Sequence, residues 1–133
     1  MATTTATLTI SSADLTSNPL AITTSSTLYK AGTTIGLEQT TGLSKKVYAA
    51  AQSNQTLINA GDYADDTHSR VYIRNSGSSS TSYFTIELGG SNLVIGRLYG
   101  GDFLFIPYEG EQDIDISSST TNMELEFMVI NEG

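Results

Sequence analysis

The stretch GRLYGGDFLFIPYEG, Gly96 to Gly110, packs four glycines, a proline and a run of large apolar residues into a short span. Its reading decides the fold. A Gly-rich loop that cradles phosphate hands the chain to a helix, whose N-terminal amides and dipole hold the anion. Here YGGD is followed by FLFIPY, an apolar strand pattern. Gly96, Gly100 and Gly101 also lack the Lys or third Gly that the phosphate templates place at fixed offsets. The stretch reads as a corner between two strands.

The chain around it reads the same way. RVYIRN (70–75) alternates, with Val71 and Ile73 on one face and Arg70, Tyr72 and Arg74 on the other. SYFTIEL (82–88) sets Phe84, Ile86 and Leu88 inward against Tyr83, Thr85 and Glu87. GGSN (89–92) turns the chain into LVIGRL. In DIDIS (113–117), Ile114 and Ile116 oppose Asp113 and Asp115. In MELEFMVIN (123–131), Leu125, Phe127 and Val129 oppose Glu124, Glu126 and Met128. Short strands at spacings of about ten residues, each bounded by Gly, Ser or Asn, predict an antiparallel β-sandwich, jelly-roll-like, in an all-β chain.

Upstream, TATLTI (5–10) has the two-residue period of a half-buried strand. SSADLTSNP reads as a loop or as a single helical turn begun by Ser12 or Asp14. LAITTSSTLY (20–29) predicts two short strands separated by a Ser turn, and the glycines at 32, 36 and 42 cut the next stretch into short strands. Only SKKVYAAAQSNQ (44–55) suits a helical turn. Residues 1–10 read as an N-terminal arm or first strand, and residues 11–133 as a single domain.

Composition bounds the function. At 133 residues the chain suffices for one domain that buries roughly two-thirds of its unfolded surface. It has no cysteine, which removes disulfides and thiolate metal sites. About a quarter of it is Ser and Thr, which favours strands and turns over helices. A net charge of −8 with only six basic residues argues against a nucleic-acid partner. No apolar run approaches the roughly 18 residues of a membrane span, and the start, MATTTATLTISSADL, lacks the basic and apolar regions of a signal peptide.

Catalytic and metal chemistry find little to work with. GDYADDTH (61–68) groups Asp62, Asp65, Asp66 and His68, but their spacing does not match a calcium loop and one His is poor for zinc. The loop reads as a solvated turn. Asp113 with Asp115, and Glu124 with Glu126, are face-sharing carboxylates of the kind a glycosidase needs if their strands are neighbours; the same alternation marks any solvent-facing strand. There is one His, no GxSxG and no SxxK, so a serine nucleophile has no partners. The reading is non-enzymatic, without cofactor or metal. The seven tyrosines carry more. Tyr72 and Tyr83 face outward, Tyr99 and Tyr108 flank the corner, and Phe103 and Phe105 share a face of a strand apolar on both sides. Tyr72, Tyr83, Tyr99, Phe103, Phe105 and Tyr108 are the candidate interface, with core completion as the alternative.

Residues 71–133 resemble small β-rich virion proteins of tailed bacteriophages. The likeness rests on Asn75 and Gly77 closing a strand, then Gly96, Leu98, Gly101, Asp102 and Phe103, then Ile106 and Pro107, and Glu126 in the closing strand. The resemblance implies a capsid decoration or cement protein that binds the major capsid protein in the virion, as a homo-oligomer with a trimer favoured. It implies a capsid-contact arm in the first ten residues, carrying Leu8 and Ile10. A tail, baseplate or fibre accessory, or a carbohydrate-binding module using surface tyrosines and the acidic loop, with or without calcium, are the alternatives.

Overall fold

Alternating branched and polar side chains favour extended backbone, because every second residue then shares one face. The computed structural model describes residues 2–89 and 93–132. It is all-β: its strands pair only antiparallel, and the described residues contain no α-helix, only a 3-10 turn at Ala60–Asp62. The strands are β1 (Thr5–Ser12), β2 (Leu20–Thr27), β3 (Gln39–Thr40), β4 (Ser44–Tyr48), β5 (Gln55–Ile58) and β6 (Ser69–Asn75). They continue with β7 (Tyr83–Leu88), β8 (Leu93–Tyr99), β9 (Phe103–Tyr108), β10 (Ile114–Ser118) and β11 (Met123–Asn131).

The pairing is nested. β7 pairs with β8, β6 with β9, β5 with β10, and β4 with β11. Successive pairs fall alternately into two sheets, ordered β5-β10-β7-β8 and β3-β11-β6-β9, with β4 also on β11. The pairings β7–β10 and β6–β11 close each sheet across its middle.

One buried cluster draws on both sheets. Ile58, Phe84, Ile86, Leu98, Ile114 and Ile116 come from one; Tyr48, Val71, Ile73, Tyr108, Met123, Leu125 and Val129 come from the other. Phe84 meets Tyr48 edge to face, with ring centroids 6.0 Å apart. Each such side chain contributes about 1.5–3 kcal/mol by leaving water. The alternation placed Val71, Ile73, Phe84, Ile86, Ile114, Ile116, Leu125 and Val129 inward as found, with Leu88 and Phe127 half-buried against the cluster.

The YGGD segment is indeed a corner, carrying the chain from β8 in one sheet to β9 in the other. Asp102 N–H donates to the Tyr99 carbonyl, and Tyr99 N–H donates to Asp102 Oδ2, both at 2.9 Å. Gly101 has φ +88°, and a Cβ on Gly100 would lie 2.6 Å from the Ser78 and Ser79 backbone. Both glycines are therefore required by geometry.

Two local expectations are corrected. Leu20–Thr27 is one continuous strand, because β1 pairs with it in unbroken register from Thr5↔Thr27 to Ser12↔Leu20. The Thr/Ser run that reads as a turn is held extended by that partner. Ser44–Tyr48 is a strand rather than a helical turn, because β11 supplies the ladder and the core accepts Tyr48. The turn expected at 89–92 lies, beyond Gly89, outside the described residues.

β1 and β2 form a sheet of their own. At the base Leu28 N–H donates to the Thr4 carbonyl at 2.9 Å and Leu37 N–H to the Leu28 carbonyl at 3.1 Å, while the link to the body runs from Tyr29 and Ala31 to His68 and Glu132. Leu28 and Leu37 are buried there, each 2% exposed. A Cβ on Gly36 would sit 1.8 Å from the Ala2 carbonyl oxygen, so only glycine lets the two segments meet.

Candidate interaction surface

The β1–β2 hairpin sorts its residues by register. Thr5, Thr7, Thr9, Thr23 and Ser25 share one face; Ala6, Leu8, Ile10 and Ile22 share the other. Ile10 lies directly opposite Ile22. Leu8, Ile10 and Ile22 are 43–45% exposed, so the apolar face has no full cover. Between Thr3 and Tyr29 the only charged residue is Asp14, beyond the end of β1.

A second apolar surface stands opposite. Since Val71, Ile73, Leu104 and Ile106 turn inward, Tyr72, Phe103 and Phe105 occupy the outer face of β6 and β9. Tyr72 lies between Phe105 on β9 and Met128 on β11 in the cross-strand register, which makes an apolar row. A groove of 680 Å³ separates hairpin and sheet, with Ala6, Leu8, Thr24 and Ser26 on one wall and Tyr72, Phe103 and Phe105 on the other. A second cavity of 360 Å³, lined by Ala6, Leu43, Tyr72, Phe105, Met128 and Ile130, lies against the same row.

Polar groups frame this row. Tyr72 Oη donates to Glu126 Oε1 at 2.9 Å, and Arg74 pairs with Glu126 at 3.7 Å. Burial first, then the bond to Glu126, push the Tyr72 phenol above its ordinary range. Lys45 pairs with Glu124 at 3.4 Å. The charges on this face largely neutralise one another, unlike those of the chain as a whole.

The structure thus brings together Leu8, Tyr72, Phe103 and Phe105, with Ile10 further along the hairpin. It separates the others. Tyr83 and Tyr99 lie on the second sheet, where their rings approach to 5.2 Å and Arg97 stacks on Tyr83 at 4.3 Å. Tyr108 is a core residue, 8% exposed, whose hydroxyl donates to the Gln112 carbonyl at 2.8 Å. Its phenol is pushed up to about 12 by burial first and then by Asp113. It offers no surface to a partner.

The acidic residues are also dispersed. Among the described residues no group of three or more His, Cys, Asp or Glu could hold a metal ion. His68 Nδ1 donates to the Tyr29 carbonyl at 2.9 Å, while Arg70 contacts Nε2. The imidazole is a structural link to the base of the hairpin. Asp113 precedes β10 and Asp115 lies within it, while Glu124 and Glu126 lie on β11, in the opposite sheet, so the two sets of carboxylates are not on neighbouring strands. Asp113 Oδ1 instead accepts the Ala60 N–H at 2.8 Å.

Two contributors escaped the sequence reading. Ile22 completes the apolar face of the hairpin, hidden in a segment read as broken. Glu132 accepts the N–H groups of Ala31 and of His68, the latter at 2.8 Å, and so clasps the hairpin's exit to the body. Desolvation pushes its carboxyl up, but the bonds from Ala31 and His68 outweigh this and hold it below the usual range. No membrane-crossing helix occurs among the described residues.

No protein-family model matches the chain, and neither a curated protein nor a solved structure matches it.

Proposed function

We propose that this chain is a non-enzymatic structural protein of a tailed-phage virion, acting as a decoration protein on the capsid lattice. The observation that carries the reading is the hairpin whose strands carry no charge and whose apolar face, with Leu8 43% exposed, stands opposite the Tyr72–Phe105 row. Two apolar walls with neutral surroundings let an acidic protein approach a protein lattice without charge repulsion. The occupant is an apolar segment of the major capsid protein, with the decoration protein itself trimeric.

The nested pairing, dealt alternately to two sheets that share one core, supports a jelly-roll β-sandwich. That architecture recurs in viral capsid and lectin domains. The same architecture suits a tail or baseplate accessory. A carbohydrate-binding role is favoured by one observation only, the Tyr83–Tyr99 pair on the second sheet, its rings tilted 53° to each other with Arg97 stacked on Tyr83.

The test is cosedimentation with shells of the cognate major capsid protein, alongside molar mass from light scattering. The expected result is a trimer that binds shells, with binding lost in the double variant Leu8→Asp, Ile10→Asp. A monomer that ignores shells would sink the reading, and glycan binding abolished by Tyr83→Ala would favour the alternative.

A further inference from the structure

On the outer face of the β5-β10-β7-β8 sheet, the central strands place two carboxylates directly opposite each other: Asp115 of β10 and Glu87 of β7 are register partners. Alternation would leave both in water, yet each is only 5% exposed. Opposed like charges on adjacent strands are unfavourable, and burial worsens this by removing solvent screening.

Their remaining hydrogen bonds do not answer the problem. Ser117 Oγ accepts the Asn54 N–H at 3.0 Å and donates to Glu87 Oε1 at 2.9 Å, which fixes that carboxylate's orientation. Glu87 Oε2 and Asp115 Oδ1 are buried with no partner. Among the described residues only one other buried side-chain polar atom, the Tyr48 hydroxyl, shares that condition. None of the ion pairs formed by the described residues includes either acid, and Arg97 is committed to the Tyr83 ring. Buried polar groups are almost always satisfied, so an unpartnered anionic pair points to a missing cationic ligand.

The flanking strands are shaped around the pair. β8 carries an extra residue, Ile95, opposite the step from Ile86 to Glu87, and β5 carries an extra residue, Leu57, opposite the step from Ile114 to Asp115. Such bulges bend the strand and re-aim side chains, and they concentrate beside functional sites. Here one sits next to each acid.

We propose that Glu87 and Asp115 are the anionic ligands of a site for a hard divalent cation, calcium in the first instance. Two carboxylates satisfy the oxygen preference of calcium, and the hydroxyl of Thr56, register partner of Asp115, lies on the same face. Water completes the six to eight oxygens such an ion takes. Magnesium, which demands tighter octahedral geometry, fits less well. The inference is independent of the virion reading, since a structural ion can brace this sheet in any of the roles considered.

The experiment melts chelator-treated, full-length protein in rising calcium chloride at constant ionic strength, beside Glu87→Gln, Asp115→Asn and Asp65→Asn. The expected result is a saturable rise in Tm of about 3 °C or more at millimolar calcium, absent from the first two variants and kept by the third. Without calcium, the first two melt at or above the parent, since each relieves the opposed charges. Calorimetric titration of the unheated parent supplies a second readout if either variant fails to fold. No calcium response in the parent overturns the proposal. So does a response lost only in Asp65→Asn, which assigns the ion to the loop. A calcium-insensitive Tm that rises on acidification only while both acids are present identifies a shared proton and equally overturns it.

Discussion

The body and the N-terminal hairpin obey the same sequence rule and end in different states. In the body, alternation sends Val71, Ile73, Phe84, Ile86, Ile114, Ile116 and Leu125 to complete burial. In the hairpin, the same alternation collects Ala6, Leu8, Ile10 and Ile22 on one face, where Ala6 and Leu8 line an open groove and Ile10 and Ile22 stay exposed. A two-residue period states which face is apolar; it carries no statement of what covers it. A two-stranded ribbon is marginal alone in water, so the hairpin holds its shape through its base contacts and whatever binds it. The body is held by its own packing.

That contrast can be broken most forcefully from the body's side. Phe84 is fully buried against Tyr48, and Phe84→Ala should cost about 3–5 kcal/mol, read as a lower denaturant midpoint. A loss below about 1 kcal/mol would mean that the two sheets do not share a tight core. At the hairpin's base, Gly36→Ala places a methyl group against the Ala2 carbonyl. Proteolysis within residues 2–27 should then accelerate about tenfold or more while the body's Tm moves little. A matching drop in the body's Tm would show that the two regions unfold as one.

Smaller effects sharpen the comparison. Tyr108→Phe removes the bond to the Gln112 carbonyl and should cost about 1 kcal/mol at neutral pH. Because the folded phenol is raised to about 12 from 10.0, its contribution is present below pH 10 and lost as pH rises toward 12. Ultraviolet titration of the parent against the variant checks this: one late-ionising tyrosine should disappear. Glu132 has the opposite sign. Its folded carboxyl is lowered, so its contribution is present above the unfolded value and lost as pH falls through the folded one. Glu132→Gln should change stability by less than about 1 kcal/mol and remove an acid-triggered loosening of the hairpin's exit, read by proteolysis between pH 5 and 3. Unchanged acid sensitivity would exclude Glu132 as the clasp.

Most of the body was legible because each core strand alternates cleanly between turns. The failures share a cause. Ser44–Tyr48 becomes a strand only because β11 offers a ladder, and Leu20–Thr27 stays continuous only because β1 matches it residue for residue. Both depend on a partner distant in sequence, which local patterning does not register. Tyr108 looked like a surface aromatic, but alternation from Leu104 and Ile106 turns it inward. Alternation puts Glu87 and Asp115 on the outward face, but a two-residue period carries no information about solvent, and both are only 5% exposed. The hairpin's apolar face was half visible through Leu8 and Ile10, and its opposing wall through Tyr72, Phe103 and Phe105. Their juxtaposition across one groove was not.

The nested pairing also fixes an order of events in time. Leu88 meets Leu93 only five positions along the chain, whereas Ser44 meets Phe127 across nearly the whole body. Loop-closure entropy is smallest for β7–β8, so strand pairing is expected to start there and proceed outward. Ile86→Val should therefore slow refolding in stopped-flow experiments, while Val129→Ala should mainly hasten unfolding. The hairpin, whose partners are also close in sequence, closes as short a loop, yet it keeps its shape only once its base contacts to the body are made.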